Sequence, residues 1–156
     1  MHVYLQLLSL YRERGFSVRV GLQPHHFQGL MPLVLPFAAL FQGDEQYTTG
    51  LGMSPLEIAV MDSICSHRKP KNIFVIGNAF GWSTLALALS NPKAEIVAID
   101  ALTEGERARV GFDLTRRIAR EEGLNIHVVE GFSPRDVRPI VEEYMSEKVD
   151  FALIDG

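Results

Sequence analysis

The sequence predicts an α/β fold in which a parallel sheet carries helices on its faces. The run Ile73–Ile76 has the length and the β-branched content of a strand that is buried on both faces. Leu and Ala then alternate over Trp82–Leu89, which favours a helix. Further apolar strands follow with helical segments between them, and this alternation is typical of parallel sheets.

The first strand of this sheet, its loop and its helix form a unit that is typical of nucleotide-binding folds. The loop runs from Gly77 to Gly81 with Ala79 between the two glycines, and Asn91-Pro92 stops the helix. The backbone of such a loop can approach a ligand closely, and the helix N-terminus directs N–H groups at it. The dinucleotide fingerprint requires a glycine at the position of Trp82, so a dehydrogenase is the least favoured function.

Residues 1–50 are predicted to form a separate helical and irregular segment. Val3–Tyr11 favours a short helix, and the alternation that begins at Phe16 favours a strand. Leu30–Phe41, which two prolines interrupt, is expected to pack over the main domain or to shape a substrate pocket. Pro24-His25-His26 is interpreted as a surface turn, because adjacent histidines point in different directions on either regular element.

The main domain is predicted to span residues 51–156, and a helix that begins at Pro55 opens it. Ser54 and Glu57 have the spacing of a capping box, and proline suits the first helical position. The predicted buried face of this helix comprises Leu56, Ala59, Val60 and Ile64.

The second strand, Ala94–Ile99, ends in Asp100. An acidic residue roughly 20 positions after the first glycine contacts the ribose in nucleotide-binding βαβ units, so Asp100 is the predicted ribose ligand. Thr103–Glu122 is predicted to be a long helix that buries Val110, Leu114 and Ile118. Its arginines alternate with acidic residues, which favours a solvated face over a basic binding patch.

The third strand is predicted at Ile126–Glu130 and is followed by Gly131, Phe132 and Ser133. Ser133 is expected to cap a helix, with a kink or a restart at Pro139. Phe132 has two interpretations: its ring stacks on a bound base, or it fills the core. The fourth strand, Val149–Ile154, ends in Asp155.

Composition limits the function classes. The chain has 156 residues with 47% hydrophobic content, enough for a substantial core, and its net charge of −4 argues against a nucleic-acid partner. The single cysteine, Cys65, excludes an internal disulfide and is interpreted as a buried structural thiol. No membrane span or signal peptide is predicted, so we expect a cytoplasmic protein without a membrane partner.

The loop sequence Gly77-x-Ala79-x-Gly81-Trp-Ser resembles the first motif of class I S-adenosylmethionine-dependent methyltransferases. It is most similar to the catechol O-methyltransferase-like group, in which an acidic residue, Ile, Gly, three residues and a second Gly precede an aromatic residue and Ser. The acidic position of that motif falls on Val75, and its central glycine on Ala79. The run that ends in Ile154-Asp155-Gly156 resembles the fourth motif of the family.

The resemblance implies a Rossmann-like fold, truncated relative to the seven-stranded sheet of the family, and S-adenosylmethionine as cofactor. Right-handed crossovers give the four strands the spatial order 3-2-1-4. The implied function is O-methyl transfer to a small molecule, and the alternative is a non-catalytic cofactor-binding or interaction domain that retains the fold. The implied cofactor-binding residues are Gly77, Asn78, Ala79, Phe80, Gly81, Trp82, Ser83, Asp100, Ala101, Gly131, Phe132 and Ser133.

Three more specific expectations follow from the resemblance. Asp155 is the expected catalytic residue and ligand of a magnesium or calcium ion, the further ligands lying after position 156. Gly81 is the expected point where backbone and cofactor nearly touch, so that valine there abolishes binding and leaves the fold intact. The apolar fourth strand is an outer strand in this chain, and its open edge predicts either association into a homo-oligomer or that these residues belong to a longer polypeptide.

Overall fold

The computed structural model describes residues 2–25, 33–48, 52–103, 105–145 and 148–155. The chain forms two compact units, Met1–Val60 and Met61–Gly156. The sequence placed this boundary ten residues earlier, between residues 50 and 51.

The first unit contains a helix, α1 (His2–Arg12), and an antiparallel sheet of β1 (Ser17–His25), β2 (Leu33–Gln42) and β3 (Glu45–Gln46) in the order β1-β2-β3. The predictions of a helix and of a strand after it are confirmed. The segment predicted as helical and irregular, residues 1–50, also contains β2, a strand of ten residues that the sequence did not predict. Pro36 is tolerated in it because the pairing of β3 on the far side covers only the end of β2, at Phe41 and Gln42.

The predicted surface turn at Pro24-His25-His26 is also wrong in part. Pro24 and His25 lie in β1, where they pair with Val34 and Leu33, while His26 lies outside the described residues. Residues 30–32 of the predicted apolar segment lie outside them as well.

Helix α2 (Pro55–Arg68) begins where the sequence predicts, and the capping box is confirmed. The Ser54 N–H donates to Glu57 Oε2 at 2.7 Å, and the Glu57 N–H donates to Ser54 Oγ at 3.3 Å. The predicted buried face is wrong: Leu56, Ala59, Val60 and Ile64 are exposed, and Ile58, Met61 and Cys65 are buried instead. Both sets have regular helical spacing, so their order along the helix does not decide which set is buried.

The second unit alternates strands and helices as the sequence predicts. Its elements are β4 (Asn72–Ile76), α3 (Trp82–Ser90), β5 (Glu95–Asp100), α4 (Glu106–Glu121), β6 (Ile126–Glu130), α5 (Val137–Tyr144) and β7 (Phe151–Ile154). The four strands form a parallel sheet in the order β6-β5-β4-β7, which confirms the predicted order 3-2-1-4.

The crossover helices cover the two faces of this sheet. One face carries an apolar cluster in which Phe74, Val97 and Ile99 of the strands pack with Ile140 and Met145 at α5. Helices α3 and α4 pack against β5 and β6, and right-handed crossovers place them on the opposite face. Side chains alternate along a strand, so both faces are apolar and the central strands are almost fully buried.

Two helices of this unit differ from prediction in detail. Val110 of α4 is exposed, and the buried face of this helix consists of Ala108, Gly111, Phe112, Leu114, Thr115, Ile118 and Ala119. Helix α5 begins at Val137, so Ser133 does not cap it and Pro139 lies in its first turn. First-turn N–H groups have no intrahelical partner, so a proline there causes no kink.

Strand β7 is the outer strand of the sheet, as predicted. Its residues are half-buried and exposed in alternation, and Ile154 at its end is 74% exposed. Among the described residues no strand pairs with the outer edge of β7. Within the same residues no helix is both long and apolar enough to span a bilayer.

Candidate functional site

The carboxyl ends of the four parallel strands lie at one edge of the sheet, and backbone hydrogen bonds hold neighbouring ends together. The Gly77 N–H after β4 donates to the Ile99 carbonyl at 2.9 Å, and the Gly131 N–H after β6 donates to the Asp100 carbonyl at 3.0 Å. After β7, the Asp155 N–H donates to the Ile76 carbonyl at 2.8 Å. Each predicted site segment therefore follows a strand end at this same edge, where open α/β sheets bind ligands.

The loop from Gly77 to Gly81 has an unusual backbone conformation. Gly77 and Gly81 have φ angles of +91° and +78°, and Ala79 between them has a φ of +43°. An L-residue in this left-handed region costs roughly 1–2 kcal/mol, and such outliers cluster at functional sites. The central position of the motif thus keeps a glycine-like conformation although the residue is alanine.

Asp100 holds this loop through its carboxylate. Its Oδ2 atom accepts the Asn78 N–H at 2.9 Å and the Ala79 N–H at 2.7 Å, and its Oδ1 atom accepts the Leu102 N–H at 2.8 Å. A carboxylate has about four lone-pair sites, and three are used. About one acceptor site remains for a ligand hydroxyl, so Asp100 has a structural duty in addition to its predicted ribose contact.

The side chain of Asn78 points away from the strand-end edge into a buried polar network. It is 2% exposed, its Nδ2 atom donates to Thr115 Oγ1 and to the Ala79 carbonyl at 3.1 Å each, and its Oδ1 atom accepts the Thr84 hydroxyl at 3.1 Å. Thr115 in turn donates to the Gly111 carbonyl at 2.9 Å. The network joins the loop to α3 and α4. Sequence reasoning missed its α3 and α4 members, although Thr115 is a polar residue on the apolar face of α4.

Gly81 is a glycine because of α4. A Cβ atom at Gly81 would lie 2.2 Å from Thr115 Oγ1 and 2.7 Å from Thr115 Cγ2, and its positive φ disfavours any side chain. The expectation that valine at this position leaves the fold intact is therefore wrong. The prediction that the Gly81 backbone also contacts the cofactor stays a prediction.

Helix α3 begins directly after this loop. Gly81 is its N-cap, and no side chain caps it, so the first-turn N–H groups and the positive end of the helix dipole adjoin the loop. The side chains of Phe80, Trp82 and Ser83 are 4%, 8% and 3% exposed. The protein interior thus holds these side chains, and their predicted cofactor contacts remain predictions.

Phe132 lies in the loop after β6 and is 42% exposed, so the interpretation that it fills the core is wrong. The guanidinium of Arg135 lies over its ring at 4.9 Å. Asp136 organises this loop, because its carboxylate accepts the Phe132 N–H at 2.8 Å and two bonds from Arg135 at 2.8 and 2.7 Å. The bond from Arg135, and then the bond from Phe132, lower the pKa of Asp136 to about 2.

The other predicted residues of the site differ in burial. Ala101 after β5 is half-buried, Ser133 is exposed, and Gly131 is buried. A Cβ atom at Gly131 would lie 2.7 Å from Ile140 Cδ1, so a side chain there would require the end of the Ile140 side chain to shift.

Asp155 is exposed at the end of β7, next to β4. In the described residues no group of three or more His, Cys, Asp or Glu side chains is arranged to hold a metal ion. One carboxylate does not make a magnesium or calcium site, which requires several oxygen ligands. Asp155 alone does not complete such a site, and metal binding there stays a prediction.

A surface groove of about 590 Å³ lies away from this edge, between α4 and the first residues of β6. Because it adjoins the start of β6 and not its end, it is not part of the candidate site. It is lined by Asp113, Arg116, Arg117, Ala119, Arg120, Leu124, Ile126, His127 and Val128.

Comparison with protein families and with curated proteins finds no match to the sequence. Solved structures do match. An O-methyltransferase from Bacillus cereus in complex with S-adenosylhomocysteine is similar with a TM-score of 0.54 and 25% identity, over 67% of this chain and 46% of that chain. A methyltransferase from Podospora anserina bound to S-adenosylhomocysteine has a TM-score of 0.53 and 23% identity, over 67% of this chain and 42% of that chain. An O-methyltransferase from Streptomyces achromogenes in complex with S-adenosylmethionine has a TM-score of 0.55 and 18% identity, over 69% of this chain and 47% of that chain.

These matches confirm the resemblance to class I S-adenosylmethionine-dependent methyltransferases, whose Rossmann-like fold the chain shares. The chain spans less than half of the length of these three proteins.

Proposed function

We propose that this chain binds S-adenosylmethionine at the carboxyl ends of β4, β5 and β6 and takes part in methyl transfer. One observation carries the proposal: the backbone of the loop Gly77–Gly81 is held, with an alanine in a left-handed conformation, at the edge where this fold binds nucleotides. The similarity to structures that contain S-adenosylmethionine or S-adenosylhomocysteine supports the identity of the ligand.

The described residues suit the three parts of this cofactor. The loop and the uncapped N-terminus of α3 supply N–H groups for the carboxylate of the methionine part, and Ser83 is in the first turn of α3. The remaining acceptor site of Asp100 takes a ribose hydroxyl. The exposed ring of Phe132 supplies an apolar surface for the adenine.

When bound, the cofactor would supply a methyl group on a sulfonium: the acceptor oxygen would bond to the methyl carbon as the bond from that carbon to sulfur breaks, and S-adenosylhomocysteine would leave. The protein contributes alignment, because an in-line displacement needs the acceptor atom fixed opposite the leaving sulfur. We propose O-methyl transfer to a small molecule. We propose that Asp155, whose N–H donates to the Ile76 carbonyl just before the loop, accepts the proton of the hydroxyl. No step depends on a metal ion.

Calorimetric titration of the chain with S-adenosylhomocysteine, S-adenosylmethionine and NAD tests this function. We expect both sulfur compounds to bind with NAD binding at least a hundredfold weaker. Micromolar affinity for NAD without binding of either sulfur compound would contradict the proposal. Binding without transfer to any small hydroxyl-bearing acceptor would instead favour the non-catalytic binding domain.

A further inference from the structure

Ala79 is the residue from which a further inference starts. Its φ of +43° is unfavourable for alanine, so other contacts must hold it. The Ala79 N–H is bound to Asp100 Oδ2 at 2.7 Å, and the Ala79 carbonyl is bound to Asn78 Nδ2 at 3.1 Å. The strained residue is thus fixed on both sides without any ligand.

Helix α4 forms the rigid support behind this arrangement. Gly111 approaches so closely that a Cβ atom there would lie 2.4 Å from the Ala79 carbonyl oxygen. One turn further along the helix, Thr115 accepts the second bond from Asn78 Nδ2. The loop therefore lies against two positions of α4, Gly111 and Thr115.

The side chains of Asn78, Thr84 and Thr115 each have hydrogen-bond partners within the buried network. Thr84 and Thr115 are fully buried, and a chain of bonds runs from the Thr84 hydroxyl through Asn78 to Thr115 and the Gly111 carbonyl. Both N–H bonds of the Asn78 amide are used, so the side chain cannot rotate without losing a bond. Networks of this kind fix a single conformation of the groups that they join.

We propose that Asn78 and Thr115 are positioning residues for cofactor binding, which hold the backbone of Gly77–Gly81 in the shape that receives the ligand. The inference rests on the proposed function for its affinity test, and it has a second readout that needs no ligand. Both side chains are buried, so both would act on the ligand through the loop.

The first test measures the affinity of the full chain for S-adenosylhomocysteine by calorimetry. Thr115→Val keeps the shape of the side chain and removes the hydroxyl, and Thr115→Ser keeps the hydroxyl. We expect Thr115→Val and Asn78→Ala to weaken binding about tenfold, which corresponds to about 1.4 kcal/mol. We expect Thr115→Ser to stay within threefold of the parent.

Asn91 is the matched control. It is also a buried asparagine, 8% exposed, and its side chain donates to the Leu87 carbonyl at 3.0 Å at the other end of α3. Asn91→Ala should lower the unfolding temperature as Asn78→Ala does and leave the affinity unchanged. Equal affinity losses in both alanine variants, or parent-like affinity in Thr115→Val, would overturn the inference.

Amide hydrogen exchange in the ligand-free chain provides the second readout. Thr115→Val should accelerate exchange at Asn78–Gly81 at least tenfold and leave exchange in β5 unchanged. Unchanged exchange at the loop would overturn the inference whether or not the ligand binds. If the parent protein fails to bind S-adenosylhomocysteine while the exchange result is as expected, the proposed function fails and the positioning of the loop stands.

Discussion

Replacement of Asp100 by alanine should reduce both the stability of the chain and its affinity for the cofactor. The change leaves three backbone N–H groups without their acceptor: those of Asn78, Ala79 and Leu102. A hydrogen bond contributes about 1 kcal/mol net, and Asp100 is half-buried, so water replaces part of the loss. We expect a decrease of about 2–3 kcal/mol in the free energy of unfolding, or roughly 4–12 °C in Tm.

The assay combines thermal unfolding with calorimetric titration of S-adenosylhomocysteine well below the Tm of the variant. Loss of the ribose acceptor should make the binding of the cofactor less favourable by about 1–3 kcal/mol. Asp113→Ala is the control, because it removes an exposed carboxylate of α4 and should change stability by less than about 0.5 kcal/mol. A parent-like Tm in Asp100→Ala would refute the argument that its carboxylate holds the loop, and parent-like affinity would refute the ribose assignment.

Three further predictions concern other parts of the second unit. Gly81→Ala should lower the free energy of unfolding in urea denaturation by more than about 2 kcal/mol. Gly123 also has a positive φ, but a Cβ atom there would have no other atom within 4 Å, so Gly123→Ala should cost about 1 kcal/mol. Equal losses of stability in the two variants would contradict the argument that α4 packs against Gly81. The pKa of Asp136 is lowered, so the stability that its carboxylate contributes is complete above the ordinary pKa of 3.8 and is lost as the pH falls through about 2. An NMR titration of the Phe132 amide should therefore have its midpoint near 2. A midpoint near 3.8 would contradict the hydrogen bond from the Phe132 N–H to Asp136. The chain should associate at high micromolar concentration in sedimentation, and Ile154→Lys should reduce this association; a parent that sediments as a monodisperse monomer would refute the expectation for the edge of β7.

The sheet and the order of its strands were predictable because the signals are local. The apolar run before Gly77, the proline after Asn91 and the acidic end of β5 each define an element by its own composition. Right-handed crossovers, together with the fold of the family that the motifs resemble, then give the observed strand order. The positions of the strand ends, and hence the edge that carries the site, follow from the same signals.

Burial could not be predicted where two faces of a helix are equally apolar. In α2 the residues Leu56, Val60 and Ile64 are spaced as regularly as Ile58, Met61 and Cys65, and only tertiary packing decides between them. The hydrogen-bond partners of buried polar groups could not be predicted either, because they lie far apart in sequence.

The requirement for glycine at position 81 was misjudged because the residue that packs against it lies far away in the sequence. The sequence places it next to the ligand-binding loop, and nothing local reveals that α4 touches it from behind. Likewise, Phe132 could be assigned to the surface only once the loop of Asp136 was known.

The contact between Gly111 and Ala79 has a consequence for anyone who wishes to engineer a more robust version of this chain. Gly111 lies inside α4, where a propensity-based redesign would select alanine first, because glycine in a helix interior costs about 1 kcal/mol relative to alanine. Such a design would place a methyl group 2.4 Å from the carbonyl oxygen of Ala79. Automated stabilisation should therefore keep glycine at this position and look for its gains on the solvent-facing side of the helix.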